Sequence, residues 1–191
     1  MKRLLLIALA LLLVTGAICS CARVEGENEA LDIVKDLVDR SYSLNQIYYG
    51  VGLPADMNNH YIGDYYYVRE DSAYTVRNDI LVETKRIFTQ RMADDMMDIY
   101  FAGTESLGVA LYARYMVGET GFLAVNVNYD NPVKKVYKYD TTKITIEKIK
   151  RNEIIATLPA LIEEGEQPFD IEVVVKYNKE EGEWRLDSPT Y

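Results

Sequence analysis

Between Gly103 and Gly108 the apolar pattern of this chain changes its period, and that change limits the fold more than any other feature of the sequence. Upstream, Leu31, Val34, Leu37, Val38, Tyr42 and Ile47 recur near the 3.6-residue spacing of a helix, with Asp32, Lys35, Asp36 and Asp39 between them. Residues 29–49 therefore read as an amphipathic helix with one face for a core. Gly50, Gly52 and Pro54 end it, and a loop rich in Asn and Asp is expected as far as Asp64. Residues 65–68 read as a short strand, 77–87 and 90–101 as helices, with Thr89 placed as the N-cap of the second. Phe88, Met92, Met96, Ile99 and Tyr100 would face inward. From Gly108 onward the period is two. Residues 111–117 and 122–128 flank Gly118-Glu119-Thr120-Gly121 as a hairpin, and further strands fit 143–150, 153–161, 169–177 and 184–187. The fold class is α+β: one domain over 29–191, in which an N-terminal helical half (29–103) packs on a C-terminal antiparallel β meander (108–191).

The start of the chain has a different character. Lys2 and Arg3 precede the apolar run Leu4 to Val14 and the small residues Thr15, Gly16 and Ala17. This is the layout of a secretory signal that is cleaved after export. The run is shorter than the roughly 20 residues a spanning helix needs. Ile18-Cys19-Ser20-Cys21 resembles the lipobox of bacterial lipoproteins, in which a cysteine after a small residue is acylated and becomes the new N-terminus. Cys21 follows Ser20 and fits that role; Cys19 follows the branched Ile18 and fits it less well. The plain alternative is that both cysteines are passengers in an ordinary signal. The resemblance implies a signal peptide over 1–20, a short lipidated tether over 21–28, and a domain held to the outer face of the cell membrane by lipid on Cys21. Cys21 would then be the sole remaining cysteine. Stability would have to come from an ordinary core and not from an internal disulfide.

Charge narrows the partners. The net charge is −9, and the signal holds the cations Lys2 and Arg3 and no acid, so the exported part stands near −11. Nucleic acid is excluded, because its phosphates require a basic surface. A peripheral grip on anionic lipid heads is equally disfavoured, which leaves Cys21 as the anchor.

No catalytic set assembles from the residues, and neither a cofactor nor a metal is expected. His60 is the one histidine, so a Cys-His pair or a histidine-rich metal site is excluded, and a Ser-His-Asp arrangement would hang on a residue with no nucleophile elbow to serve it. Asp56, Asn58 and His60 alternate as calcium ligands can, but Tyr61 stands where such a loop needs glycine. Asp94, Asp95 and Asp98 read as a solvated acidic helix face. The unusual feature is aromatic: Tyr48, Tyr49, Tyr61, Tyr65, Tyr66, Tyr67 and Tyr74 gather around one glycine-bearing loop. Tyrosine joins a large apolar face to a polar tip, which suits recognition, and Tyr48, Tyr49, Tyr61 and Tyr66 are the candidate partner-binding residues. The alternative is that these rings fill the junction of helices and sheet. If 65–68 is a strand, Tyr65 and Tyr67 point one way and Tyr66 the other.

Three segments carry a further resemblance: DRSYSLNQIYYGVGLP at 39–54, IFTQR at 87–91 and GEWRLDSPTY at 182–191. They look like clostridial surface lipoproteins related to the cell-wall DL-endopeptidase inhibitor family. The resemblance implies a non-catalytic protein that docks on cysteine endopeptidases of the peptidoglycan and restrains them. A closing Gly-x-Trp-Arg-Leu strand also resembles cystatin-like and nuclear-transport-factor-like cone folds. That implies the alternative, a pocket protein binding a small ligand or acting on it with an acid such as Asp64 or Asp187.

The lipobox reading is tested by metabolic labelling with an alkyne fatty acid. Cys21→Ala should abolish both label and membrane fractionation, while Cys19→Ala should leave both nearly intact. Label retained by the Cys21 variant would move the site.

Overall fold

The computed structural model describes residues 24, 26–102, 104–106, 109–111, 113–129, 136–161 and 167–191. The signal region, Cys21 and most of the expected tether lie outside the described residues. The protein is α+β, with three helices and antiparallel sheets. No helix among the described residues is long and apolar enough to cross a membrane.

Helix α1 (Glu27–Tyr48) starts two residues earlier than the apolar period predicts. Glu27 and Glu29 sit in its first turn, where acids offset the exposed N–H dipoles. One face buries Ala30, Val34, Leu37, Val38, Leu44, Ile47 and Tyr48. The hairpin β1 (Ala55–Ile62) and β2 (Tyr65–Val68) follows, then α2 (Arg77–Ile87) and α3 (Gln90–Ala102). Both helices fall where the sequence places them. Phe88, Met92, Met96 and Tyr100 are buried, and Ile99 packs partly against the core. Thr89 precedes α3 and gives its hydroxyl proton to Asp187 Oδ1 at 2.7 Å, so it ties the helix start to the last segment of the chain.

Beyond α3 come the short pair β3 (Thr104–Ser106) and β4 (Val109–Leu111), then the hairpin β5 (Tyr115–Val117) and β6 (Leu123–Asn126). The final stretch holds β7 (Lys138–Tyr139), β8 (Thr145–Lys150), β9 (Glu153–Leu161), β10 (Phe169–Asn178) and β11 (Glu183–Leu186). Strand β9 shows the cleanest alternation: Ile154, Ala156, Leu158 and Ala160 are buried, and the residues between them are half-buried. Val173 and Val175 of β10 are buried beside that face, α1 packs on β8, β9 and β11, and α2 packs on β11. Trp184 of β11 is half-buried on the core margin and packs against Tyr177.

Two expectations change. The region from Gly108 onward is not one meander, because β5–β6 belong to a separate four-stranded sheet ordered β1-β2-β6-β5, while β7–β11 form the other sheet. Also, the Asn- and Asp-rich stretch before Asp64 is not a loop. It forms the edge strand β1, exposed along most of its length, so nothing obliges it to show apolar alternation. Gly63, at φ 56°, supplies the left-handed residue that a two-residue turn to Asp64 requires. The "helical half" thus carries half of a sheet.

The end of α1 is fixed from a distance. Its last turn contains no basic residue, yet its final carbonyls are satisfied. Arg114, only 6% exposed, donates from Nη1 to Tyr48 O and from Nη2 to Gly50 O, both at 2.7 Å. Tyr115 donates to Ile47 O at 2.7 Å and accepts from Leu53 N at 3.0 Å. A cation just before β5 and a hydroxyl from its first residue therefore meet the negative end of the helix dipole and its orphan carbonyls. Charged hydrogen bonds of this kind are each worth roughly 1.5–3 kcal/mol. Arg114→Met, which keeps the stem but not the donors, should destabilise by about 2–4 kcal/mol, and Tyr115→Phe by about 1–2 kcal/mol. Urea melts of the purified chain check this; a loss below about 0.5 kcal/mol for Arg114→Met would show that water replaces the clamp without cost.

Candidate functional site

The tyrosines gathered by the sequence separate into two populations. Tyr48 and Tyr49 are buried, packed with Tyr100 at centroid distances of 5.4 and 5.1 Å. Tyr48 Oη shares a hydrogen bond with Thr84 Oγ1 at 2.8 Å and also donates toward Met97 Sδ at 3.1 Å. Tyr49 stacks on Tyr191, with ring centroids 3.5 Å apart. Burial pushes the phenols of Tyr48, Tyr49 and Tyr100 well above the usual tyrosine range, and burial pushes Tyr115 up to about 12. These rings are neutral core elements. The expectation that Tyr48 and Tyr49 contact a partner is therefore corrected: the turn after α1 folds them inward under the C-terminal segment.

Tyr61 and Tyr66 do lie at the surface, half-buried, on the β1–β2 hairpin. Tyr66 pairs with His60 edge to face at 5.1 Å. Tyr61 meets Tyr67 at 5.3 Å. Tyr65 is the inward ring, donating its hydroxyl to Ala113 O. The expectation that Tyr67 follows Tyr65 into the interior holds only in direction, because Tyr67 is half-buried and lines an open groove of about 470 Å³.

That groove is built by three elements. Tyr67 and Val68 come from β2, Phe122 from the turn into β6, and Asn59 from β1, with Glu70, Thr75 and Thr120 around the rim. Phe122 is 53% exposed, and Met57 beside the hairpin is 60% exposed. The walls are pinned by backbone bonds: Gly118 N to Phe122 O at 2.8 Å and Leu123 N to Thr75 O at 2.8 Å. Gly118 also lies against the Tyr67 ring, where an added Cβ would come within 2.6 Å of Tyr67 Cε1. Any side chain there would push the ring out of place. Tyr67 is therefore pre-positioned by Gly118 on one side and Tyr61 on the other.

The remaining candidates are placed as follows. His60 is exposed, and its Nε2 lies 2.8 Å from Gly63 O across the hairpin turn. Asp56 accepts from Asn58 N, which shapes the bulge of β1, and no group of three or more metal-ligating side chains occurs among the described residues. Asp94 accepts from Gln90, and Asp95 pairs with Arg91, both across one helical turn. Asp64 is exposed. Asp187 is the most enclosed of the named acids, its side chain 12% exposed, and three donors hold it: Thr89, Arg91 and Lys176. Partial burial pushes its carboxyl up, but the Lys176, Thr89 and Arg91 contacts outweigh that and hold it below the usual carboxylate range. It is an ionised anchor, which does not suit a proton-donating role.

Tyr67 belongs to the tyrosine cluster that the sequence shows, but Phe122, Asn59 and Glu70 were not legible beside it from spacing. Pairing of β1 with β2 brings Asn59 beside Tyr67, and pairing of β2 with β6 brings Phe122. The chain matches no protein-family model and no curated protein.

A carboxyl whose folded pKa is lowered contributes stability above its unfolded pKa, near 4, and loses it as pH falls through the folded value. Asp187→Asn should therefore lower the urea midpoint at pH 7, and its gap from the wild type should narrow between about pH 4 and pH 2. A gap that stays constant over that range would mean Asp187 acts through shape alone.

Proposed function

We propose that the protein is a non-catalytic, lipid-anchored binding protein of the extracytoplasmic face, which recognises its partner through the aromatic groove of the β1–β2 hairpin. The observation that carries this reading is the open groove in which Phe122, 53% exposed, stands beside the half-buried Tyr67 on backbone pinned by the Gly118–Phe122 and Leu123–Thr75 hydrogen bonds. Apolar aromatic surface left open at one place on a soluble domain is costly to keep and marks contact sites. The anchor proposed at Cys21, with a short tether, would keep that surface close to the membrane.

A second reading is favoured by a separate observation. The three segments that resemble the endopeptidase-inhibitor lipoproteins are distant in sequence and meet in space. Asn45 Nδ2 donates to Thr190 O at 2.6 Å, Tyr49 stacks on Tyr191, and Thr89 N donates to Leu186 O at 2.8 Å. Their junction opens on a shallow groove of about 430 Å³ beside Arg91, Asp95 and Pro189. Docking of a wall endopeptidase on this face is the inhibitor version of the same binding role.

Photo-crosslinkers placed singly in the full chain separate these readings. A probe at Phe122 should yield a specific envelope adduct, and a probe at Val82, exposed on α2, should yield none. Adducts equal at both positions, or absent from both, would remove the groove as the recognition surface. A wall endopeptidase captured from Asp95, and not from Phe122, would shift the function to the inhibitor face.

A further inference from the structure

We infer that the groove beside Tyr67 and Phe122 takes a neutral oligosaccharide of the envelope, an inference that rests on the recognition role proposed for that groove. The lining separates into the parts that a sugar ring needs. Tyr67, Phe122 and Val68 give it apolar lining, with Phe122 53% exposed. Asn59, Glu70, Thr75 and Thr120 stand around it, together offering an amide, a carboxylate and two hydroxyls. Among the described residues none of these four side chains makes a hydrogen bond or ion pair, and the Tyr67 hydroxyl also makes none. A pyranose presents apolar C–H faces above and below its ring and hydroxyls around its edge. Stacked on Tyr67 or Phe122, it would aim those hydroxyls at the four open polar groups.

Charge and backbone geometry exclude the other ligand classes. Glu70 is the one charged residue of the lining, on a chain of net charge −9. An anionic polymer would meet repulsion with no cation to offset it. An extended peptide would require a free strand edge to supply main-chain hydrogen bonds. The sheet has two edges: β5, which is only three residues long, and β1, whose register is broken, because the five steps from Ala55 to His60 face only the two steps from Val68 to Tyr66 on β2 and a second shift follows before Ile62. Bulges of this kind blunt an edge against added strands. A volume of about 470 Å³ is within the range of small-ligand clefts.

The test uses the full chain in detergent micelles, titrated calorimetrically with tri-N-acetylchitotriose and, separately, with cellotriose. Saturable binding of at least one of the two is expected. Phe122→Ala and Tyr67→Ala should each weaken it by about tenfold, the scale of one lost aromatic stack with its buried area. Val82→Ala, exposed on α2 and outside the groove lining, should leave it unchanged. Phe122 is exposed, so its variant keeps the fold, and a melting temperature equal to the wild type confirms that; Gly118→Ala, which displaces the Tyr67 ring, gives an independent second loss. Absence of saturable binding to both sugars would overturn the inference, as would binding indifferent to Phe122→Ala and Gly118→Ala. If the Phe122 crosslinker still captures an envelope protein while both sugars fail, the glycan inference falls and the recognition surface stands. If both fail, the groove has neither role.

Discussion

The structure depends on how α1 ends. A 22-residue helix leaves four carbonyls without partners at its C-terminus, and this one stops beneath the rest of the domain instead of in solvent. The chain brings no basic side chain of its own to that turn. Arg114 and Tyr115, more than sixty residues further along, do the work instead. Because Arg114 also lies over the Tyr115 and Tyr129 rings, at 5.8 and 5.5 Å, the guanidinium is enclosed by aromatic faces and carbonyl oxygens, and no carboxylate is needed beside it. This one clamp joins the first helix to β5. Through β5 it fixes the sheet that carries the hairpin and the groove.

The second junction is polar and lies on the other side of α1. Ser41, Asn45 and Thr190 are buried together. Thr190 donates to Ser41 at 3.0 Å, Ser41 donates to Val38 O at 2.8 Å, and Asn45 donates to both oxygens of Thr190. Such a set is sequence-specific in a way that apolar packing is not, because each lost partner leaves a buried group unsatisfied. It locks the C-terminal segment across α1 and carries Tyr191 onto Tyr49. Together with Thr89 and Asp187, it explains why residues at positions 45, 89 and 190 behave as one structural unit.

What the sequence could reveal followed from which residues had to obey a burial pattern. Strand β9 and helices α2 and α3 are half-buried elements, so their periodicity was written in Ile154 to Ala160 and in Phe88 to Tyr100. Strand β1 has no such obligation. Met57, Asn58 and Asn59 face solvent, and their polarity read as loop. The better signal was the Gly63-Asp64 pair between Ile62 and Tyr65, a two-residue hairpin turn with its own stereochemical reason. The division of the C-terminal strands into two sheets was not legible. Strand β6 of the β5–β6 hairpin pairs with β2, not with the strands that follow it in sequence, and alternation within a strand says nothing about which strand lies beside it.

The same limit governed the aromatic cluster. For several of the sixteen tyrosines the question is whether the hydroxyl has an acceptor inside, although Tyr100 is buried without one among the described residues. Tyr48, Tyr65 and Tyr115 find Thr84, Ala113 and Ile47, and burying those rings therefore costs little in unsatisfied polarity. Tyr61 and Tyr67 have no hydrogen-bonding partner among the described residues and remain where water, or a ligand, can serve their tips. Proximity in sequence grouped Tyr48 with Tyr61. The distinction between them lies in acceptors supplied by α2, β5 and the segment before it, which become visible only when those elements are in place. Where a ring's partner is distant in the chain, the ring belongs to the core; where the partner is missing and the ring is backed by Gly118, the geometry leaves the ring face as the feature available for recognition.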